Sequence, residues 1–274
     1  MAAPSSSGPA SPAALAASPG RPARRRAAGP LLPLAGLLLA ALLWALATAL
    51  MARNTPIAAQ FSPQRAFPAL AGLLVDPYLW EHVGLSLQRV AVGLACALAI
   101  GVPAGILTGI STHFAQASGP LFQFLRMISP LSWMPIAVMA LGVGDAPVYF
   151  LLAFAAVWPI LLNTAAGVAQ LDRNWLLLAR SLSATRGETI LRVVLPGITA
   201  HILTGVRLAI GIIWIILVPA EMLGVSAGLG YFILDARDRL AYPDLMAAIL
   251  LIGFLGYLLD HAARWLHRRW LHRA

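Results

Sequence analysis

The chain has 274 residues, a net charge of +9 and a mean hydropathy of +0.81, and only 11% of its residues are charged. A soluble protein of this size carries about twice that share of charged residues, so we expect a polytopic membrane protein. All 19 basic residues are arginine, which excludes the Walker A loop and the Schiff-base enzymes because both need a lysine.

Residues 1–29 consist mainly of alanine, proline, serine and glycine, with a basic cluster, RPARRR, at 21–26. Such a composition cannot bury a core, so it predicts a disordered cytoplasmic tail. The run LLPLAGLLLAALLWALATALMA (31–52) predicts a first transmembrane helix, which forms a region from 30 to 78 with its outer loop. A cleavable signal peptide is the alternative, because basic residues precede the run and Ala45-Leu46-Ala47 is A-x-A-like. The run is longer than the usual apolar core of about 7–15 residues, which favours an uncleaved span.

Five further apolar runs follow, each close to the roughly 20 residues that cross a bilayer. They cover about 83–111, 119–142, 146–168, 199–223 and 244–263. We expect a main transmembrane domain at 79–267 and a basic cytoplasmic tail at 268–274. The positive-inside rule places both termini in the cytoplasm, because the outer side then holds only Arg53, Arg65, Arg237 and Arg239.

The second apolar run carries Gly101, Gly105 and Gly109, spaced four residues apart. Small residues at this spacing let a neighbouring helix approach closely, so we expect all three at a helix–helix contact. The single cysteine, Cys96, lies in the same run and cannot form an intramolecular disulfide. The six histidines show no H-E-x-x-H pattern, so we expect no metal site. We also expect no catalytic residue in this chain.

A polar segment, about 170–198, separates the fourth and fifth runs. It predicts a helix-turn-helix with one apolar stripe, formed by Leu176, Leu177, Ala179, Leu182 and Ala184. We expect Gly187 to interrupt the first helix, Thr185 or Thr189 to cap the second, and Pro196-Gly197 to end it before the fifth span. Such an element either docks into a groove of a partner or rests on lipid headgroups, and the residues alone leave both open.

The polar segment resembles the EAA loop of ABC importer permeases, whose pattern is E-A-A-x3-G-x9-I-x-L-P. Aligned on Leu195-Pro196, the second alanine of the pattern falls on Ala179, its glycine on Ser183 and its isoleucine on Val193. Leu177 and Leu178 stand where the pattern has glutamate and the first alanine. Four other strings are similar to the branch that imports nitrate, sulfonates and taurine: ISPLSWMPIAVMALGVGDAP (128–147), LLNTAAGV (161–168), TGVRLAIG (204–211) and PAEMLGVSAGLGYFILDARD (219–238).

This resemblance, which covers about residues 80–265, implies an all-α type I importer permease with about six transmembrane helices and a cytoplasmic coupling helix, in a bacterial inner membrane. The chain itself would be no enzyme and bind no cofactor, because two cytosolic ATPase subunits would bind the ATP. A binding protein would deliver a small anionic solute such as nitrate, a sulfonate or taurine, and a second, identical permease copy would complete the pair. Membrane lipid is the remaining expected neighbour, and no nucleic acid is expected.

The resemblance assigns twelve residues to coupling with the ATPase: Ala179, Arg180, Ser181, Leu182, Ser183, Ala184, Thr185, Arg186, Val193, Leu195, Pro196 and Gly197.

Polar and aromatic residues within the spans are candidates for the pathway or its gate: Ser129, Ser132, Trp133, Asn163, Thr164, Arg207 and Glu221. Glu221 lies near the outer end of the fifth span, in an Ala-Glu-Met string that the family also carries, so we expect a gate or packing role. A carboxylate would repel an anion, so we do not expect it to bind the solute. Arg207 either snorkels to the interface or faces the pathway, where a guanidinium suits an oxyanion.

Other functions remain as alternatives. Import of a small nitrogenous solute such as a thiamin precursor would use the same architecture, and a membrane scaffold outside the ABC class would keep only the spans. An integral membrane enzyme is disfavoured because the acidic residues are scattered over outer loops and span ends. A lone secondary transporter is disfavoured because the sequence indicates neither a buried coupling-ion site nor an internal repeat.

Overall fold

The computed structural model describes residues 31–271, and every regular element in that range is helical, which confirms the expected all-α class. The helices are α1 (Leu31–Ala52), α2 (Pro63–Leu73), α3 (Pro77–Ile110), α4 (Thr112–Met127), α5 (Met134–Leu141), α6 (Asp145–Ala169), α7 (Arg173–Ser181), α8 (Arg186–Thr189), α9 (Leu195–Gly224), α10 (Leu229–Asp238) and α11 (Tyr242–Leu271). A 3₁₀ turn over Pro56–Phe61 precedes α2, another over Pro130–Trp133 precedes α5, and a π-helical turn over Ile190–Val194 joins α8 to α9.

Both expected tails fall wholly or partly outside the described residues. The expected tail 1–29 and residues 272–274 lie outside the described residues. Residues 268–271 continue α11 without a break, so the structure has no boundary where the basic tail was expected. The described residues up to Trp44 form one compact unit and the chain from Ala45 forms another. All the packing described below lies within the second unit.

Short polar side chains set where the long helices begin. Asp76 precedes Pro77, and its carboxylate accepts a hydrogen bond from the N–H of Tyr78 at 2.9 Å. Ser111 starts α4 in the same way, because its Oγ accepts from the N–H of Phe114 at 3.2 Å. These bonds satisfy N–H groups that have no partner inside a helix. A single extended residue, Ser111, therefore separates α3 from α4.

The third apolar run does not form one straight helix. α4 and the segment from Pro130 to the end of α5 meet at an angle of 88°. Pro130 and Pro135 lie in the first turns of the two elements after the bend. A proline is tolerated there because its missing N–H has no partner in any case. Ser129, before Pro130, is not helical, as expected for a residue that precedes a proline. The span expected over 119–142 is therefore broken.

The centre of the bundle is formed by α3, α6 and α9, and α6 packs along both of the others. The buried side chains at this centre include Ala97 of α3, Leu152 and Ile160 of α6, and Ile213 and Leu217 of α9. α10 and α11 pack beside the first part of α3. The three long central helices thus form one core, against which α10 and α11 pack.

The three glycines of the second run lie where α3 meets α6. A Cβ atom at Gly105 would lie 2.6 Å from the Cβ of Thr164, and one at Gly109 would lie 2.5 Å from the Cβ of Val168. A Cβ atom at Gly101 would also meet α6, at 3.0 Å. Separations this short lie inside van der Waals contact, so the stripe permits a close approach that any larger residue would prevent.

The contacts of α3 identify two ends of the bundle. At one end, which we name the ion-pair end, Arg89 contacts Asp145 at the start of α6 and Glu221 near the end of α9. At the other, the loop end, Ser111 after α3 and Leu171 after α6 line one cavity with α7 and α8. α3 and α6 therefore run in the same direction. α4 and α5, which connect α3 to α6 in the chain, must return from the loop end to the ion-pair end.

The bent pair is thus a broken span rather than a re-entrant loop. Among residues 31–271, five helices are long and apolar enough to cross a membrane, and the bent pair brings the number of spans to six.

Candidate functional site

The chain between α6 and α9 forms two short helices at the loop end, which we name the loop segment (residues 170–198). α7 begins after Asp172, whose carboxylate accepts from the N–H of Asn174 at 2.9 Å. At its end the N–H of Ala184 donates to Ala179 O and that of Ser183 to Arg180 O, both at 3.0 Å. This is the Schellman pattern of helix termination.

Ser183 adopts a φ of 57° in this turn, in the left-handed region that favours glycine. The structure therefore keeps a left-handed turn at the position where the EAA pattern has glycine, although a serine stands there.

α8 begins with a capping box. Thr185 Oγ1 accepts from the N–H of Glu188 at 3.3 Å, and Glu188 Oε2 accepts from the N–H of Thr185 at 2.9 Å. Of the two threonines expected as caps, Thr185 is the one that caps the helix. The expectation for Gly187 is wrong: this glycine lies inside α8, and the break falls at 182–185 because the Schellman turn ends α7 first.

The sequence led us to expect that Pro196 and Gly197 end the second helix, but this is wrong. Both residues lie in the first turn of α9. Pro196 has no N–H to donate to the carbonyl of Arg192. The N–H of Leu195, the residue before it, donates to Ile190 O, five residues earlier. This π-helical turn keeps the chain helical although Pro196 cannot donate. The chain is helical from Arg186 through the fifth span.

The apolar side chains of α7 divide between two faces. Leu176 packs against the core at the loop end and Ala179 is buried. Leu177 and Leu182, expected on the same stripe, are 56% and 74% exposed, and Trp175 is 58% exposed. Consecutive helical residues point about 100° apart, so Leu177 cannot share the face of Leu176. The single stripe expected from the sequence is therefore wrong in part.

Two cavities flank the loop segment. The first, of about 310 Å³, is lined by Trp175, Leu178, Leu182, Arg192 and four further residues, among them the predicted coupling residues Ala179, Val193 and Gly197. The second, of about 760 Å³, lies between the loop segment and the ends of α3 and α6, and its lining includes the predicted coupling residues Arg180, Ala184 and Arg186. The predicted coupling residues thus lie together at the loop end, with Ser181 donating to Leu177 O at 3.1 Å. Their role in coupling stays a prediction.

At the ion-pair end, five side chains form what we name the ion-pair cluster: His82, Ser86, Arg89, Asp145 and Glu221. Glu221 is fully buried and accepts hydrogen bonds from Ser86 Oγ and Arg89 Nη1, both at 2.7 Å. Arg89 is 3% exposed and also donates from Nε to Asp145 Oδ1 at 2.8 Å. Buried charges are tolerated when they are paired and hydrogen-bonded in this way. The cluster joins α3, α6 and α9 at one point.

The cluster also holds the turn between α9 and α10. The N–H groups of residues 228–230 donate to His82 Nδ1, Ser86 Oγ and Glu221 Oε2, each at 2.8 Å. Gly228 has a φ of 116°, and a Cβ atom there would collide with the guanidinium and carboxylate of the ion pair. Only glycine fits this position, so the turn and the ion pair depend on each other.

The sequence singled out Glu221 but missed its partners. His82, Ser86 and Arg89 are spaced at i, i+4 and i+7, which places them on one face of a helix. An arginine inside an apolar run also requires a partner. These two signals together could have identified the α3 side of the cluster. Nothing in the local sequence around Asp145 indicated its part.

The pathway candidates are not brought together. Thr164 is fully buried against Gly105, and Arg207 lies 3.6 Å from Asp260 of α11. Asn163 lines a third cavity, of about 410 Å³, between α4, α6 and α9, and Arg126 lines it too.

The remaining candidates, Ser129, Ser132 and Trp133, lie at the bend before α5, with the ring of Trp133 at 5.7 Å from that of Phe154. Among residues 31–271 no group of three His, Cys, Asp or Glu side chains is placed to hold a metal ion.

The sequence is similar to those of several known proteins. A family model described as "Binding-protein-dependent transport system inner membrane component" matches residues 101–272. The bicarbonate transport system permease protein CmpB of Synechococcus elongatus is 38% identical over 259 residues, which are 91% of this chain and 92% of CmpB. The nitrate import permease protein NrtB of Leptolyngbya laminosa is 38% identical over 69% of this chain and 71% of its own length. The taurine transport system permease protein TauC of Escherichia coli is 33% identical over 71% of each chain.

A solved chain of the MetNI methionine ABC transporter, in an inward-facing conformation, has a TM-score of 0.58 and covers 71% of this chain and 98% of its own. The two chains share 16% sequence identity, so this likeness shows the fold alone.

Proposed function

The chain belongs to the family of inner membrane components of binding-protein-dependent transport systems, and we propose that it is the permease subunit of an ABC importer for a small anion. The observation that carries this proposal is the exposed apolar face of the loop segment. In this proposal a separate ATPase binds and hydrolyses ATP, and an extracytoplasmic binding protein delivers the solute. Two identical permease copies form the pathway in a bacterial inner membrane, with both termini in the cytoplasm.

The loop segment supports docking of an ATPase. Trp175, Leu178 and Leu182 are 58%, 50% and 74% exposed, and they border the 310 Å³ cavity. Apolar side chains grouped on an exposed surface mark a site that a partner or a membrane covers. The knobs and the adjoining hollow suit the helix-in-groove mode of binding.

The same segment is connected rigidly to the spans. α8, the π-helical turn and α9 form a continuous helical path from residue 186 to residue 224. Leu176 and Ala179 anchor α7 on the core at the loop end. A displacement of the loop segment by the ATPase would therefore move α9, which is what a rigid-body switch between two conformations requires.

The cavity between α4, α6 and α9 supports a small anion as the solute. Its lining is mostly apolar, with a guanidinium from Arg126 and an amide from Asn163. Arg126 donates to Gln123 Oε1 at 2.6 Å, which holds the guanidinium in place. Leu162 and Leu208, also in the lining, are 41% and 51% exposed, and we propose that the second copy covers them. Bicarbonate, nitrate and taurine, which the names of the relatives print, all carry an anionic group of suitable size.

The experiment is reconstitution. The full chain would be purified in mild detergent with whatever ATPase accompanies it, then placed in proteoliposomes with a binding protein. Uptake of labelled bicarbonate, nitrate and taurine would be measured. Leu178→Asp and Leu182→Asp are each expected to lower both ATPase recovery and uptake at least tenfold, because a charge would enter an apolar contact.

Leu240→Asp is the matched control, since Leu240 is 67% exposed in the turn after α10. An equal loss in the control would contradict docking at the loop segment. Recovery of the unsubstituted chain without any ATPase would favour a scaffold. ATP-driven uptake of a thiamin precursor, with no uptake of bicarbonate, nitrate or taurine, would refute the assignment of the solute.

A further inference from the structure

The larger cavity at the loop end combines two arginines with apolar walls. Arg180, near the end of α7, and Arg186, at the start of α8, both line this space of about 760 Å³. No carboxylate belongs to its lining. Within the described part of the chain, neither guanidinium forms an ion pair with an acidic side chain. The cavity is therefore positively charged and has no internal counter-ion.

One further donor lies in the same wall. Ser111 Oγ accepts a hydrogen bond from the N–H of Phe114 at 3.2 Å, so its hydroxyl proton remains to donate toward the cavity. The nearest acidic residue in the loop segment, Glu188, is engaged by the N–H and hydroxyl of Thr185 at 2.9 Å each. Thr189, the remaining polar side chain of the lining, donates its hydroxyl to Thr185 O at 2.9 Å. The two guanidinium groups and the Ser111 hydroxyl are thus the donors of the cavity, which suits an oxyanion.

The rest of the lining is apolar and continues onto a span. Leu107 and Ile110 lie in the last turn of α3 and are each 54% exposed. Ile106, Ile190 and Val194 form the inner wall. α3 is long and apolar enough to cross a membrane, so the apolar side chains at its end adjoin lipid. A ligand here meets cations at one side and hydrocarbon-facing residues at the other.

We propose that this cavity binds an anionic phospholipid. The phosphoryl oxygens would lie on Arg180 and Arg186, whose planar guanidinium groups match them in geometry, and the acyl chains would follow Leu107 and Ile110. Basic pockets at the ends of transmembrane helices bind anionic headgroups for this reason. The lipid would bridge α3 and the loop segment, and its binding requires no ATPase and no transported solute.

The test is native mass spectrometry of the full chain in mild detergent. The purified chain would be titrated with phosphatidylglycerol, with phosphatidylcholine, and with inorganic phosphate. We expect phosphatidylglycerol to be retained at least tenfold better than phosphatidylcholine. The double variant Arg180→Gln/Arg186→Gln should lose this preference. Arg192→Gln removes one positive charge, half that of the double variant, from the same segment, and Arg192 lines the other cavity. This variant should bind within about twofold of the unsubstituted chain, as expected where no charged hydrogen bond is lost.

Three outcomes would overturn the proposal. Equal retention of the two lipids would mean that the headgroup charge is not recognised. An equal loss in Arg192→Gln would mean that net charge, and not this cavity, governs binding. Displacement of phosphatidylglycerol by inorganic phosphate at the same concentration would identify a site for free anions rather than lipid.

Discussion

Replacing Glu221 with glutamine should destabilise the fold strongly. Glu221 accepts from Ser86 and Arg89 on one side and from the N–H of Gly230 on the other. A glutamine keeps a single acceptor oxygen, so its NH₂ group must face either the guanidinium or the Gly230 N–H. Arg89 then depends on Asp145, whose side chain is 47% exposed. Removing one partner of a buried ion pair costs about 3–5 kcal/mol, and we expect about 3 kcal/mol because the shape is retained.

Unfolding of the detergent-solubilised chain, followed by tryptophan fluorescence, would measure this loss. Glu81→Gln is the control: Glu81 lies on α3, the helix that carries Arg89, but is exposed, so the change should stay within about 0.5 kcal/mol. The double variant Arg89→Met/Glu221→Met should regain part of the loss, because it leaves no unpaired buried charge in the pair. A Glu221→Gln variant as stable as Glu81→Gln would refute the claim that the ion-pair cluster stabilises the fold.

Two further substitutions test the backbone at other points. Gly105→Val should lower the free energy of unfolding by at least 1–3 kcal/mol or so (about the cost of overpacking a core), because the new side chain would overlap Thr164. The control Gly84→Ala meets no atom within 4 Å and should be neutral or stabilising. Equal effects of the two changes would contradict the close contact of α3 with α6. Ser183→Gly should stabilise the turn by about 1 kcal/mol, since it removes the strain of a left-handed serine. Ser181→Gly, at the last residue of α7, should instead destabilise the fold by up to about 0.5–1 kcal/mol. The same unfolding assay would refute the strain at Ser183 if both changes had the same sign.

The number of spans could be predicted from the sequence because it depends on the length of each apolar run. The bend in the third run could be predicted only as a kink. Pro130 favours a break in the helix before it, but the 88° angle is set by how α5 packs on α6. The loop segment was located correctly, whereas its helix boundaries depended on the Schellman turn and the π-helical turn. Both are choices between similar local hydrogen-bond patterns, and the packing of α7 on the core decides between them.

The ion-pair cluster could not be assembled from sequence because its members are far apart in the chain. Arg89 and Glu221 are separated by 132 positions, and Arg89 and Asp145 by 56. Helical periodicity places side chains on the face of one helix but says nothing about which helix lies opposite. The contact at the glycine stripe could be predicted, because small residues at a fixed spacing on one helix are enough to indicate close approach of another.

The spacing of the ion-pair cluster along the chain also sets an order of events during synthesis. At about 5–20 residues per second, the ribosome completes Asp145 roughly 3–11 s after Arg89, since 56 positions separate them. Glu221 follows Arg89 only after roughly 7–26 s, because 132 positions lie between them. α3 must therefore enter the membrane with its arginine unpaired, and α6 supplies the first counter-charge. The ion-pair cluster therefore stays incomplete until the fifth span is made.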